Sequence, residues 1–232
     1  MIKQAIILAG GLGTRLRSVV TDLPKCLAPV AGKPFLHYVI THLQKNGIEE
    51  FVFSIGYKGD AIVDYVNSAF SGLNFSFSIE EEPLGTGGAI KHALTSVDET
   101  NVIIVNGDTL FSVDLQNLSI FHKANKADCT LALKPMTNFD RYGVVELNEH
   151  NRIISFKEKS FYKQGLINGG IYGLNVKSFL SESLPQIFSF EKDYLEKFCN
   201  KKRMFGFEED SYFIDIGIPE DYAGAQTDLQ SS

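Results

Sequence analysis

Short apolar runs alternate with helical stripes through the first half of the chain. Ala5 to Ala9 is an unbroken hydrophobic run of strand length, and Phe35, Leu36, Val39, Ile40 and Leu43 recur at helical spacing until Asn46 and Gly47 stop them. Phe51 to Ile55 predicts the next strand, Ile62, Val63, Val66 and Phe70 the next helix, and Phe75 to Ile79 alternates as a strand. Ala89 to Leu94 continues a helix, and Val102 to Val105 reads as a buried strand. This β-α-β-α-β-α-β order predicts a parallel sheet covered by helices on both faces. Beyond residue 127 the pattern changes. Thr130 to Lys134, Gly143 to Leu147, Arg152 to Phe156 and Ile167 to Leu174 read as strands separated by little except turns, with helices near Val176 to Leu180 and Asp193 to Cys199. The expected fold is therefore α/β with a mixed, mostly parallel central sheet. The last residues, Thr227 to Ser232, read as a frayed tail.

Composition narrows the class. A chain of 232 residues, 44% hydrophobic and 22% charged, suits one sizeable domain, 1–232, with a change of role near residue 127. Its apolar stretches are strand-sized and no basic-then-apolar leader precedes Met1 to Lys3, so a cytoplasmic protein with no membrane partner is expected. A net charge of -6, with no basic run longer than Lys201 to Arg203, argues against a nucleic-acid partner. Cys26, Cys129 and Cys199 lie far apart and read as reduced thiols. The histidines are scattered and read as surface or boundary residues; His37 and His42, five apart, do not share one helix face.

The first strand runs into "LAGGLGTRL", residues 8 to 16. Gly10, Gly11 and Gly13 leave backbone amides uncovered for a close guest, and Arg15 adds donors suited to phosphate oxygens. A tight turn with a surface arginine is the alternative. Two familiar phosphate loops fail on spacing: Leu16 stands at the third glycine of GxGxxG, and no glycine-lysine-serine or glycine-lysine-threonine follows. Pro24 and Lys25 then place a compact charge after a restricted backbone.

"GGLGTRL" with "PKCLAPVAGKP" resembles the sugar-1-phosphate nucleotidylyltransferase family, and the likeness continues through "EEPLGTGGAI", "VNGDTLF", "FKEKS", "NGGIYGL" and "YFIDIGIPEDY". Within that family the combination looks most like the D-glycero-D-manno-heptose 1-phosphate guanylyltransferases. The resemblance implies a Rossmann-like three-layer sandwich, GT-A-like, without a C-terminal β-helix. It implies a nucleotide-binding half, 1–127, and a sugar-binding half, 128–232. Its substrates would be a nucleoside triphosphate and a sugar 1-phosphate, and a homodimer is compatible with it.

The same resemblance assigns roles. Leu8, Ala9, Gly10, Gly11, Gly13 and Thr14 would hold the nucleotide with catalytic Arg15 and Lys25. Asn106, Gly107 and Asp108 end the buried strand, where ligands collect in such sheets. Asp108, also catalytic, and Asp215 would share Mg2+, although a turn or cap would explain either aspartate alone. Gly143, Glu158, Lys159, Asn168, Gly169 and Gly170 would face the sugar phosphate, whereas a hairpin end and a strand bulge are the plain readings of "KEK" and "NGG". Gly85 and Thr86 belong to the base-binding segment. Guanine presents adjacent N1–H and N2–H donors that one carboxylate accepts together, so Glu80, with Glu82 as second choice, favours GTP over uridine, thymidine or adenine nucleotides. A uridylyl- or thymidylyltransferase acting on a hexose or N-acetylmuramate phosphate, and a non-catalytic nucleotide-sugar-binding protein, remain open.

Overall fold

The computed structural model of the chain describes residues 1–11, 16, 20 and 22–230. The first half follows the expected alternation. β1 (Gln4–Leu8) is followed by a 3-10 turn at Lys25–Leu27 and a small hairpin, β2 (Pro29–Val30) and β3 (Lys33–Pro34), that opens α1 (Phe35–Lys45). Then come β4 (Glu50–Ile55), α2 (Gly59–Ala69), β5 (Asn74–Ile79), α3 (Gly85–Ala93) and β6 (Asn101–Asn106). β1 lies between β4 and β6, and β5 flanks β4, all parallel. Successive residues feed opposite cores, as the strand period of two requires: Ile7 and Phe53 join the α1 side, while Ile6 and Val52 join the side of Ile90 and Phe179.

The second half adds β7 (Thr109–Phe111), α4 (Leu115–Ala124), β8 (Cys129–Phe139), β9 (Val144–Leu147), β10 (Ile153–Lys157), β11 (Tyr162–Asn175) and α5 (Val176–Leu180). A π-helical segment at Phe190–Glu196, β12 (Met204–Glu208), β13 (Phe213–Asp215) and α6 (Pro219–Asp228) complete it. The central sheet has seven strands in the order β12-β8-β11-β6-β1-β4-β5. β11 runs antiparallel to both β6 and β8, so the sheet is mixed, as expected.

Three expectations are corrected. The strands read at Gly143 to Leu147 and Arg152 to Phe156 do not extend the central sheet but form a separate hairpin, β9 with β10. Thr227 to Gln230 is not frayed: α6 reaches Asp228, and Leu229 is buried against the main core. His122 is neither surface nor boundary. It is buried, with Nδ1 at 2.9 Å from Thr130 Oγ1 and Nε2 at 3.1 Å from Asn101 Oδ1, and burial pushes its pKa down to about 4.

Candidate active site

A cavity of about 560 Å³ opens beyond the C-terminal ends of β1, β4, β5 and β6, where the parallel strands hand over to loops. Leu8, Gly10 and Gly11 form one wall. Ala9, next in line, is buried and donates its N–H to the Ser54 carbonyl at 2.8 Å. A Cβ on Gly11 would meet nothing within 4 Å, whereas one on Gly10 would lie 2.8 Å from Glu80 Oε1. Gly13, Thr14 and Arg15 lie outside the described residues.

Asp108 lines this cavity and belongs to a charged cluster assembled from three distant segments. Lys25 sits in the 3-10 turn with its side chain 11% exposed; its Nζ lies 2.5 Å from Asp108 Oδ2 and 3.3 Å from Asp215 Oδ1. The two aspartates meet because β7 and β13 pair antiparallel, placing Asp215 opposite Thr109. The Ile216 N–H closes this ribbon onto the Asp108 carbonyl at 3.1 Å, and the Gly217 N–H donates to Asp215 Oδ1 at 2.8 Å. Beside them the Cys26 thiol is pushed up to about 12, by burial first and the Asp108 charge second, so it is no nucleophile. Burial, helped by Asp215, also raises the Tyr142 phenol to about 12.

Beside Gly10, Glu80 lines the cavity together with Glu81 and Glu82. Glu80 is fixed: Oε2 accepts from the Leu84 N–H at 3.1 Å, and Oε1 accepts from Ser54 Oγ at 3.3 Å. Gly85, at φ +70°, starts α3, and Thr86 Oγ1 donates to Glu191 Oε2 at 2.7 Å while accepting from the Phe190 N–H. Glycines occupy this turn because another segment presses on it. A Cβ on Gly88 would lie 2.3 Å from the Gln186 carbonyl oxygen.

The sugar-side candidates occupy varied surroundings. Glu158 and Lys159 are exposed at the end of β10, and Lys159 has no ion-pair partner among the described residues. Gly143 packs against the Lys157 carbonyl, 2.3 Å from where its Cβ would stand. A register shift between Asn168 and Tyr172 makes "NGG" a bulge. Asn168 Nδ2 donates to Tyr172 Oη at 2.9 Å, and its Oδ1 accepts from the Gly170 N–H at 3.1 Å. Gly170, at φ +74°, lies against Asn106, Gly169 against Phe111, and Gly107 against the Leu8 carbonyl. Sequence reasoning missed Ser54, Tyr57 and Glu191 as cavity residues. Ser54 left a trace, a lone hydroxyl in the apolar run of β4; Glu191 left none.

A lysine between two carboxylates, one of them lining a cavity of about 560 Å³, is an arrangement suited to phosphoryl groups. A protein of Aneurinibacillus thermoaerophilus named D-glycero-alpha-D-manno-heptose 1-phosphate guanylyltransferase is 54% identical over 98% of this chain and 98% of its own. One of the same name from Campylobacter jejuni is 48% identical over 94% of this chain and 96% of its own. Among solved structures, HddC from Yersinia pseudotuberculosis complexed with GMP-PN is 37% identical, with a TM-score of 0.89 over 98% of this chain and 100% of that one. The sequence profile of the Nucleotidyl transferase family matches residues 4–232, and the chain belongs to that family.

Proposed function

We propose that the protein transfers the guanylyl group of GTP to a D-glycero-D-manno-heptose 1-phosphate, yielding the GDP-sugar and pyrophosphate. One observation carries the reading: Asp108, which Lys25 joins to Asp215, lines the same cavity as the fixed carboxylate of Glu80. The names of the relatives, and the guanine ligand of HddC, support the choice of base and sugar. In this reading residues 1–127 take the nucleotide and residues 128–232 the sugar phosphate.

A sugar-phosphate oxygen attacks the α-phosphorus in line. The new P–O bond forms as the bond to the β-phosphate oxygen breaks, and pyrophosphate leaves with both electrons. The attacking dianion needs no base, so the protein's task is orientation and charge neutralisation. Lys25 would meet the transferring phosphate. Arg15 and the glycine-loop amides would hold the leaving pyrophosphate, and Lys159 the incoming phosphate. Glu80, with Glu82 beside it, would accept from guanine N1–H and N2–H. Glu158, Gly143 and the Asn168–Gly170 bulge would border the sugar.

The donor set also fits Mg2+. Asp108 and Asp215 already converge on one cationic group, and two carboxylates suffice for an ion that takes its other ligands from phosphate and water. When bound, the ion neutralises phosphate charge. The three free, buried cysteines suit a reducing cytoplasm, where GTP is made. The test offers GTP, UTP, dTTP and ATP in turn with heptose or mannose 1-phosphate and follows pyrophosphate release. GTP with the heptose is expected to lead, and inactivity with GTP overturns the reading.

A further inference from the structure

β1, β4 and β5 lie side by side, and just beyond their ends Gly10, Gly56 and Glu80 meet. A Cβ on Gly10 would lie 2.8 Å from Glu80 Oε1 and 3.2 Å from Gly56 N, and one on Gly56 would lie 3.7 Å from Glu80 Cβ. This corner of the cavity is bare backbone beside one carboxylate. The first side chain beyond it on the way to α2 is Tyr57, the one aromatic ring of the cavity lining among the described residues. We infer that Tyr57 is the stacking platform for the guanine base, reading its face while Glu80 reads its edge, an assignment that rests on the guanylyl-transfer reading above.

The chemistry of the base asks for such a platform. A carboxylate holds guanine along one edge, through N1–H and N2–H, and leaves the two faces of the fused ring to be covered. An aromatic side chain covers a base face with a flat π-surface, and stacking of this kind adds affinity with little regard to the edge pattern. Tyr57 has area to give: it is 38% exposed although it lines a concave site.

The turn that carries the ring is held in place. The Gly59 N–H donates to the Gly56 carbonyl at 3.0 Å, which closes a tight turn around Tyr57 and Lys58 just where α2 begins. Lys58 takes φ +55° in this turn, a left-handed conformation uncommon for lysine that surrounding contacts must hold. Those contacts are present. Lys58 Nζ donates to the Asp22 carbonyl at 2.9 Å and lies over the Tyr57 ring, 5.5 Å from its centroid. Part of the ring's freedom is thus spent before a nucleotide arrives, which lowers the entropic cost of stacking.

Steady-state pyrophosphate release by the whole protein tests this, with GTP and with inosine triphosphate, which lacks the 2-amino group. Tyr57→Ala is expected to raise KM for both nucleotides by about tenfold to a hundredfold, to change kcat by less than about threefold, and to keep the wild-type preference between the two. Tyr57→Phe, which retains the ring, should recover most of the lost affinity. Inorganic tripolyphosphate offers the phosphates without a base. Its inhibition constant against GTP should be the same in Tyr57→Ala as in the wild type, whereas a merely loosened site would bind it less well. The chain has no tryptophan, so Tyr57→Trp places a single emitter at the platform, and GDP, but not tripolyphosphate, should quench it. An unchanged KM for GTP in Tyr57→Ala, a parallel rise in its tripolyphosphate inhibition constant, or Tyr57→Trp emission indifferent to saturating GDP overturns the platform. Inactivity of the wild-type protein with GTP strikes the guanine reading instead, and the diphosphate of whichever nucleotide reacts then replaces GDP in the quenching test.

Discussion

Gly11 and Gly169 both stand in segments that resemble ligand-binding motifs, yet their surroundings are opposite. A Cβ on Gly11 would meet nothing within 4 Å, while one on Gly169 would lie 2.3 Å from Phe111 Cδ1. The first glycine keeps a wall of the cavity open; the second lets a neighbouring element in. The contrast extends to the polar groups around them. Near the first glycine's cavity, Lys25 is paired with Asp108 and Asp215, and Asp108 borders the open space. At the back of the second half, His122 is buried against Thr130 and Asn101, with its Nδ1 3.1 Å from where a Cβ on Gly173 would stand, and is kept neutral by burial. One region conserves charge for a guest; the other conserves fit.

Asp108→Asn should break the first region most severely. It removes a charge from the cluster, so steady-state pyrophosphate release should fall by about 10²–10³-fold with an unchanged circular dichroism spectrum. Near-normal turnover would remove Asp108 from the machinery. Next, Gly88→Ala should lower stability by roughly 1–3 kcal/mol in urea titration, because its methyl group meets the Gln186 carbonyl oxygen. Gly11→Ala, placed in open space, should leave stability within about 0.5 kcal/mol of wild type and raise KM for GTP. Equal losses of stability in the two would erase the distinction. Glu80→Gln should cost about tenfold to a hundredfold in the preference for GTP over UTP, read from kcat/KM with each nucleotide.

A separate effect concerns pH. The folded pKa of His122 lies below its unfolded value, so the unfolded state binds the proton first, and stability falls as pH drops from about 6.5 toward about 4. Urea midpoints at pH 7.5 and pH 5 should differ by the equivalent of about 1–2 kcal/mol from this residue, and His122→Gln should flatten the dependence. A profile equally steep in that variant would assign the titration elsewhere.

Much of this was legible in the chain. The alternation that gave β1, α1, β4, α2, β5, α3 and β6 depends on long apolar runs and stripes, which two cores on opposite faces of one sheet require. β7 and β13 were not legible as a pair. Three residues each are too few for any period to show, and their pairing joins segments more than a hundred residues apart. The 204–208 strand and α4 also escaped: β12 carries a glycine at its centre, and α4 has a weak stripe set by Leu115 and Leu118. The glycine motifs were visible, but a sequence does not tell an open glycine from a crowded one. Glu80 was singled out by its charge, whereas the Ser54 and Leu84 contacts that hold it depend on the end of β4 meeting the connection from β5 to α3.

The ribbon between β7 and β13 also sets a clock. Asp108 leaves the ribosome more than a hundred residues before Asp215, a delay of about 5–20 s at ordinary rates of translation. During that interval the emerging polypeptide has its glycine loop, Lys25 and one carboxylate, but not the second. A half-made molecule therefore lacks the second partner of Lys25, and the charged cluster closes only when the sheet is nearly whole.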